Sequence, residues 1–549
     1  MPFGLIELLG SDIFCSIAGG GVDGRFSLGD ALPRLTQWSR RYETASAHDR
    51  EGDLLAIGQE MFRWLDEAGW ASGWAAGSGD RELEVRVDGL GGAQEAALLD
   101  APWELLAGRD GPLALDPLRL FVVARRVGRP QQAREPRHSD LRLMFMASAP
   151  EGQVELDFEA EEGAILEATK DDERVHLIVE ETGVLRFLRG RLASEGSCEA
   201  LHLSCHGDID GALGPVLMLE TPEGGAARAT AGDLIAALGT ERPQLVTLSA
   251  CRTAEMGRPG DAAGGAGRHD AALGLEEFGA QPDGGLVAGV GTEFAASFAR
   301  QLMMQVANVL GWDGSVYDRD ATDFAAALYG ELGLGSPVPR AAAVGRRELL
   351  RLRAGNPRRG RHWHLARVYL GPGGGGPLCA TGKPRRRGVG EEAQKAFLDK
   401  RGRIPVATRE AFVGRRRAIQ AVLRAFRDKK AVLVHGMAGL GKSSLAARVA
   451  SRTPAETVVI FERYDALTVF DAVLDALDPR LRTEQRNLWR ELVKADPDRL
   501  AEALKSLLEG PLDAAPIVLI VDDLDRILET PAPGGAMMPR VAAAHRVAR

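Results

Sequence analysis

The chain has 549 residues, which at ~150 residues per domain predicts three or four domains. Apolar residues make up 45% and charged residues 26%, a balance that excludes a wholly disordered chain. The net charge of −9 argues against a general electrostatic grip on nucleic acid, so no nucleic-acid partner is expected.

The longest apolar runs, such as Ile517–Val521, fall far short of the about 20 residues that cross a bilayer, and no membrane partner is expected. Met1–Gly20 lacks a basic n-region and carries Glu7 and Asp12 inside its apolar stretch, which argues against a signal peptide. Five cysteines (Cys15, Cys198, Cys205, Cys251, Cys379) form no CxxC pair and no metal-like spacing. This points to a reduced, cytoplasmic protein in which a cysteine matters for its reactivity.

Residues 1–50 are poorly patterned, with glycines at 19, 20, 21 and 24. A helix is predicted over Asp53–Leu65 and a strand over Glu82–Val87, followed by the short APWELLA stretch Ala101–Ala107. An α/β rhythm then begins. Strands are predicted at Leu141–Ala147, Val175–Val179, Ala200–Cys205 and Leu245–Ala250. Helices are predicted at Glu161–Thr169, Val184–Leu192 and Thr230–Leu238, the last with Asp233 in its first turn. Such alternation implies a mostly parallel sheet covered on both faces. The glycine-rich Glu255–Ala271 reads as a long mobile loop. Helical spacing returns at Glu293–Val309, Ala321–Leu332 and Ala341–Leu352, and His362–Leu370 reads as one last strand. Glycine, proline and arginine then make a linker, and a second α/β unit starts near Glu410. The arginine-rich stretches there read as a solvated face.

In that second unit, an expected strand Ala431–Val434 runs into Gly436-Met437-Ala438-Gly439-Leu440-Gly441-Lys442-Ser443, which satisfies G-x-x-x-x-G-K-[ST]. Glycines let the backbone N–H groups face a β-phosphate, and the following helix N-terminus adds positive partial charge. Lys442 would reach the β- and γ-phosphates, and the Ser443 hydroxyl would ligate Mg²⁺. Downstream, Val518–Val521 is an apolar strand ending in Asp522 and Asp523. Asp522 would hold the Mg²⁺ shell and Asp523 would polarise water. The expected cofactor is therefore ATP, or another NTP, with Mg²⁺. This region resembles the STAND class of signal-transduction NTPases in Phe412-Val413-Gly414-Arg415, in the loop itself and in the doubled Asp. The resemblance implies that Val413 and Gly414 line the adenine site. The class continues with further strands, a sensor Arg and a helical lid, whereas 26 residues follow Asp523, so a partial NTPase domain is expected.

Two predicted strand ends carry reactive residues, His202–Gly207 and Leu248–Ala254. Parallel strands put their C-terminal ends on one edge, so residues 45 positions apart can meet there. A free thiol has a pKa of about 8.5, and a neighbouring His makes it useful by taking its proton and returning one to a leaving amine. A lone His and a lone Cys at strand ends are by default packing residues. Cys205, inside its strand, and His202 read that way. The motifs, however, resemble the CHAT family of caspase-like (clan CD) cysteine peptidases. Pro102–Leu106 fits its PWELL, His202–Gly207 its H-x-x-x-H-G, and Leu248–Ala254 its LSAC-x-TA; Trp312-Asp313 and Trp363–Gly371 fit its later part. The resemblance implies that His206 is the general base and Cys251 the nucleophile, with the N–H groups of Gly207 and Cys251 as oxyanion hole. It makes Asp208, Asp210 and the Glu255–Ala271 loop candidates for substrate contact. The peptidase chemistry would need no cofactor.

The expected architecture is α/β. It has an N-terminal segment over 1–50, a caspase-like, mostly parallel sheet flanked by helices over 51–372, a linker over 373–408 and a partial P-loop NTPase domain over 409–549. The expected function is a caspase/separase-type endopeptidase that cleaves a protein partner under an NTP-dependent switch, in bacterial defence or regulated cell death. An activating partner and homo-oligomerisation through the NTPase are expected with it. One alternative is a non-proteolytic caspase-fold scaffold with an NTP-binding assembly switch. Another is an NTPase whose hydrolysis is the main output.

Overall fold

The computed structural model describes residues 3–17, 24–136, 140–153, 156–170, 175–196, 198–222, 224–240, 242–250, 298–380, 396–399, 402–408, 412, 414–453, 455–461, 463–477, 483–508, 517–529 and 540–541. It forms two compact units, Met1–Arg386 and Arg387–Arg549.

The first unit opens with strands β1 (Phe3–Leu9), β2 (Asp12–Ile17) and β3 (Gly24–Ser27), then helices α1 (Leu28–Ala47), α2 (Glu51–Leu65) and α3 (Trp70–Ala76). It continues with β4 (Arg81–Val87), α4 (Ala93–Asp100), the short pair β5 (Ala107–Gly108) and β6 (Gly111–Pro112), and β7 (Phe121–Val127). The α/β rhythm follows as β8 (Leu141–Ala147), α5 (Phe158–Thr169), β9 (Val175–Glu180), α6 (Leu185–Glu195) and β10 (Ala200–Ser204). Then come β11 (His206–Asp210), β12 (Gly214–Glu220), β13 (Ala226–Ala229), α7 (Ala231–Leu238) and β14 (Leu245–Ser249). The unit closes with α8 (Phe298–Met303), β15 (Asn308–Trp312), α9 (Asp318–Gly333), α10 (Val338–Gly355) and β16 (Ala366–Leu370).

One 11-stranded sheet, ordered β3-β2-β1-β4-β7-β16-β15-β14-β10-β8-β9, carries this unit. It is parallel except where β1–β2, β2–β3 and β15–β16 run antiparallel. Its central strands are buried because both faces are covered: α5 packs on α9 and α9 on α10, while α6, α7 and α8 form a second row. Every residue of β10, β14, β15 and β16 is buried. The helix predicted at Thr230 starts where local chemistry says it must. Thr230 Oγ1 accepts the Asp233 N–H at 3.2 Å and Asp233 Oδ2 accepts the Thr230 N–H at 2.9 Å, a capping box.

Several expectations need correction. Residues 1–50 carry three strands and a 20-residue helix. Their alternation is real but spread over short strands: Ile6, Leu8, Ile13 and Cys15 point inward between half-exposed neighbours. Among the described residues, the helix expected over Glu293–Val309 covers Phe298–Met303, and Asn308–Trp312 is a central strand. A short, fully buried apolar run keeps apolar residues at helical spacing by default, so periodicity does not mark the switch. The strand expected from His362 begins at Ala366.

The glycine-rich stretch after β16 was expected as a linker from 373 on, yet residues 371–379 are docked. Arg126 donates to the carbonyls of Gly371 at 2.9 Å and Gly374 at 3.2 Å, and Asn308 Oδ1 accepts the Gly375 N–H at 2.7 Å. A Cβ at Gly374 would run into the Ala307 carbonyl, so glycine there serves close approach rather than flexibility.

The second unit contains the pair β17 (Ala396–Phe397) and β18 (Pro405–Val406), then α11 (Arg416–Asp428), α12 (Lys442–Arg452), β19 (Glu456–Phe461), α13 (Ala466–Leu477), α14 (Thr483–Ala495), α15 (Leu500–Leu508) and β20 (Ile517–Asp522). β19 and β20 pair in parallel, and α13 packs over β19. The expected strand Ala431–Val434 is not realised: no strand among the described residues pairs with it, and Leu433 is 70% exposed. An apolar run becomes a strand only when a neighbour takes up its ladder hydrogen bonds.

Candidate functional site

The carboxyl edge of the large sheet carries the ends of β10 and β14 side by side. β10 and β14 are neighbours in parallel register, with Ser204 opposite Ser249 at their last residues. The Cys205 N–H still bonds the Ser249 carbonyl at 3.2 Å. There the chain turns out of the large sheet, and His206 opens β11, which pairs with β12 in a separate three-stranded sheet, β11-β12-β13. This break leaves His206 half-exposed, while Cys205 stays buried as expected. Gly207 is buried opposite Leu217. Ala250, the residue after β14, is buried. Cys251 and the Glu255–Ala271 loop lie outside the described residues.

Beneath this edge lies a polar network that the motif reading did not include. The Glu161 carboxylate, from α5, accepts from Ser249 Oγ at 2.8 Å and lies 3.1 Å from His202 Nε2. The Ser204 hydroxyl bonds it too. Burial pushes the Glu161 carboxyl up, but His202, Ser204 and Ser249 together outweigh that and hold it below its ordinary value. His202 Nδ1 lies 3.0 Å from the Tyr329 hydroxyl, which donates to Thr247 Oγ1 at 3.0 Å. The His202 ring also stacks on Phe145. His202 is thus a satisfied core histidine. The signal for this network was present in the sequence. Glu161 falls on the apolar stripe Phe158, Ile165, Thr169 of its helix, and polar residues recur at every second position of two strands that should be fully buried.

Asp318, first residue of α9, accepts the Asp157 N–H at 3.0 Å. Desolvation raises its carboxyl, the Asp157 N–H opposes this, Glu161 raises it further and His206 lowers it. Asp318, Glu161 and His206 therefore share one electrostatic neighbourhood. Asp210 accepts the Ala212 and Leu213 N–H groups at 2.9 and 3.0 Å and pairs with Arg228 at 3.3 Å, which fixes the β11–β12 turn. Asp208 bonds the Ile209 N–H at 2.8 Å.

In the second unit, the loop before α12 has the geometry of a phosphate cradle. Gly436, Gly439 and Gly441 take positive φ of 154°, 79° and 74°, which lets the backbone wrap. Lys442 Nζ donates to the Gly436 and Met437 carbonyls, each at 3.0 Å, so the ammonium lies across the loop it would serve. Ser443 Oγ donates to Asp522 Oδ2 at 2.9 Å, and the two proposed Mg²⁺ ligands thus adjoin. A hydroxyl and a carboxylate side by side are the hard oxygen donors that Mg²⁺ takes, so the residues fit the ion. Asp523, at φ 53°, pairs with Arg526 at 3.1 Å. Gly414, at φ 76°, precedes α11, and Val413 lies outside the described residues.

Comparison with known proteins agrees with both units. Residues 80–371 match the family described as CHAT domain, and residues 411–542 match the AAA ATPase domain, which implies nucleotide binding with Mg²⁺. No curated protein matches the chain. Among solved structures, two crystal structures of the Saccharomyces cerevisiae separase–securin complex match. One is 14% identical with a TM-score of 0.28, the other 13% identical with a TM-score of 0.26. Each covers 52% of this chain, which spans 15% of the length of the chain it matches. No helix among the described residues is long and apolar enough to cross a membrane. With the H-x-x-x-H-G motif at the end of β10, the LSAC motif leaving β14 and more than half of its residues matched, the chain belongs to the CHAT domain family and carries an AAA ATPase domain behind it.

Proposed function

We propose that the chain is a caspase-like cysteine endopeptidase with Cys251 as nucleophile and His206 as general base. The observation that supports this best is the register of β10 and β14. Ser204 faces Ser249, and each motif residue follows two positions later in its own chain. His206 takes the Cys251 proton, and the thiolate attacks the scissile carbonyl. The oxyanion is held by the Gly207 and Cys251 N–H groups, and His206 then protonates the leaving amine. Water hydrolyses the thioester by the same route in reverse.

The second unit acts in this reading as the switch. An NTP with Mg²⁺ on Lys442, Ser443 and Asp522, with Val413 and Gly414 at the base, drives assembly of further copies and releases the peptidase. The substrate is a protein partner in the cytoplasm, and the outcome is bacterial defence or regulated cell death. The test is digestion of a peptide library by the chain and by its Cys251→Ala and His206→Ala variants. Products that disappear with both substitutions are expected. Products that persist with Cys251→Ala refute Cys251 as the nucleophile, and an unaltered chain that yields no products favours the scaffold.

A further inference from the structure

Glu161 is 4% exposed on the inward stripe of α5, a place where an ionised carboxylate is destabilising unless it is fully paired. Its partners are unusual in kind. A buried acid commonly fastens one element to another, but this one bonds two adjacent strands at register-paired positions, Ser204 and Ser249, from a third element. It also holds His202 one pleat earlier on β10. Through His202 the contact continues to Tyr329 on α9 and back to Thr247 on β14.

These are the last residues of both strands. Beyond them the Cys205 N–H bonds the Ser249 carbonyl and His206 enters β11, while residues from Cys251 on lie outside those described. Side-chain bonds that span two strand ends hold them against fraying. The carboxylate supplies that hold two residues before His206.

We infer that Glu161 is a positioning residue: its carboxylate fastens the ends of β10 and β14 to each other and so sets where His206 stands relative to the end of β14. The inference rests on the peptidase reading above, because only a dyad gives that spacing a chemical consequence. Glu161 touches neither substrate nor reacting atoms in this role.

The experiment is a double-mutant cycle on the 549-residue chain, read by the rate at which iodoacetamide alkylates Cys251, measured by mass spectrometry near neutral pH. His206→Ala in the otherwise unaltered chain should slow alkylation by about tenfold or more, since the thiolate then lacks its partner. Glu161→Ala should slow it comparably. In the Glu161→Ala background, adding His206→Ala should cost less than about threefold, because the base is already misplaced. Equal factors in both backgrounds would overturn the positioning role while leaving the dyad intact. A wild-type rate indifferent to His206 would instead sink the dyad, and the inference with it. Should Glu161→Ala fail to fold, Ser249→Ala deletes one bond without stranding a charge, and the same cycle must show coupling of about threefold; none overturns the inference.

Discussion

Glu104 and Arg125 form a buried ion pair whose removal has a calculable cost. Arg125 lies on β7, a strand buried at every residue, and is itself 0% exposed. Its Nη1 and Nη2 meet the two Glu104 oxygens at 2.6 and 2.8 Å, and Nε and Nη2 also donate to the Leu99 and Ala101 carbonyls. Burial pushes the Glu104 carboxyl up, but Arg125, with Arg346 and Arg367 farther off, brings it down from 4.5 to about 2. At 1.36 kcal/mol per pKa unit, that depression is worth about 3 kcal/mol, within the range of about 3–5 kcal/mol for breaking a buried pair. Glu104→Gln keeps the shape and removes the charge, so it should lower the stability of the first unit by about 3 kcal/mol at neutral pH. The sign with pH follows: a depressed carboxyl stabilises above its unfolded pKa, and that contribution is lost as pH falls through the folded value. The gap between wild type and variant should narrow below pH 4.5 and reach roughly half near pH 3. Urea unfolding followed by tryptophan fluorescence suits the measurement, because only Trp489 of the 8 tryptophans lies in the second unit. A gap under about 1 kcal/mol at neutral pH, or one constant down to pH 3, would refute the reasoning.

Cys251→Ala or His206→Ala should abolish peptide cleavage with unfolding unchanged, whereas Cys205→Ala, at a buried position, should keep most activity; a dead Cys205→Ala with an active Cys251→Ala in a turnover assay would reverse the assignment. Cys15 and Cys198 have thiols pushed up to about 12 by burial, so neither should be alkylated by iodoacetamide at pH 8 while the chain is folded, and labelled peptides from either would show otherwise. Lys442→Ala should remove Mg-nucleotide binding as read by calorimetry, because it deletes the charge that lies across the loop; unchanged binding would place the nucleotide elsewhere.

The His202–Gly207 and Leu248–Ala254 motifs were legible because they are tied to a fixed spacing at two strand ends, and the phosphate loop because its glycines and Lys442 run straight into a helix. The alternation of β8, β9, β10 and β14 with α5, α6 and α7 was legible because these are helices and buried strands of ordinary length, whereas the strands β11, β12 and β13 inserted between β10 and α7 were not. β7 was not, since Arg125 and Arg126 interrupt its apolar run, and only their carboxylate and carbonyl partners make them interior residues. Nor was the transition from α8 to β15, where helical spacing and a buried strand coincide. Glu161 escaped because an acid on an apolar stripe reads as a flaw in the pattern until His202, Ser204 and Ser249 are seen around it.

The order of strands has a consequence for how the protein is made. β16 is laid down last in its unit, yet it lies in the middle of the sheet, between β7 and β15. The five strands on one side and the five on the other pair with each other only through it. During synthesis the two halves are therefore separate pieces with open edges until residue 370 has been added. At about 5–20 residues per second, the early half waits on the order of ten seconds or more after β7 before its partner edge arrives. The strands that carry the dyad motifs are in the later half, so they become part of a closed core only when the whole unit exists. A nascent or prematurely ended chain lacks the frame in which those residues would be held.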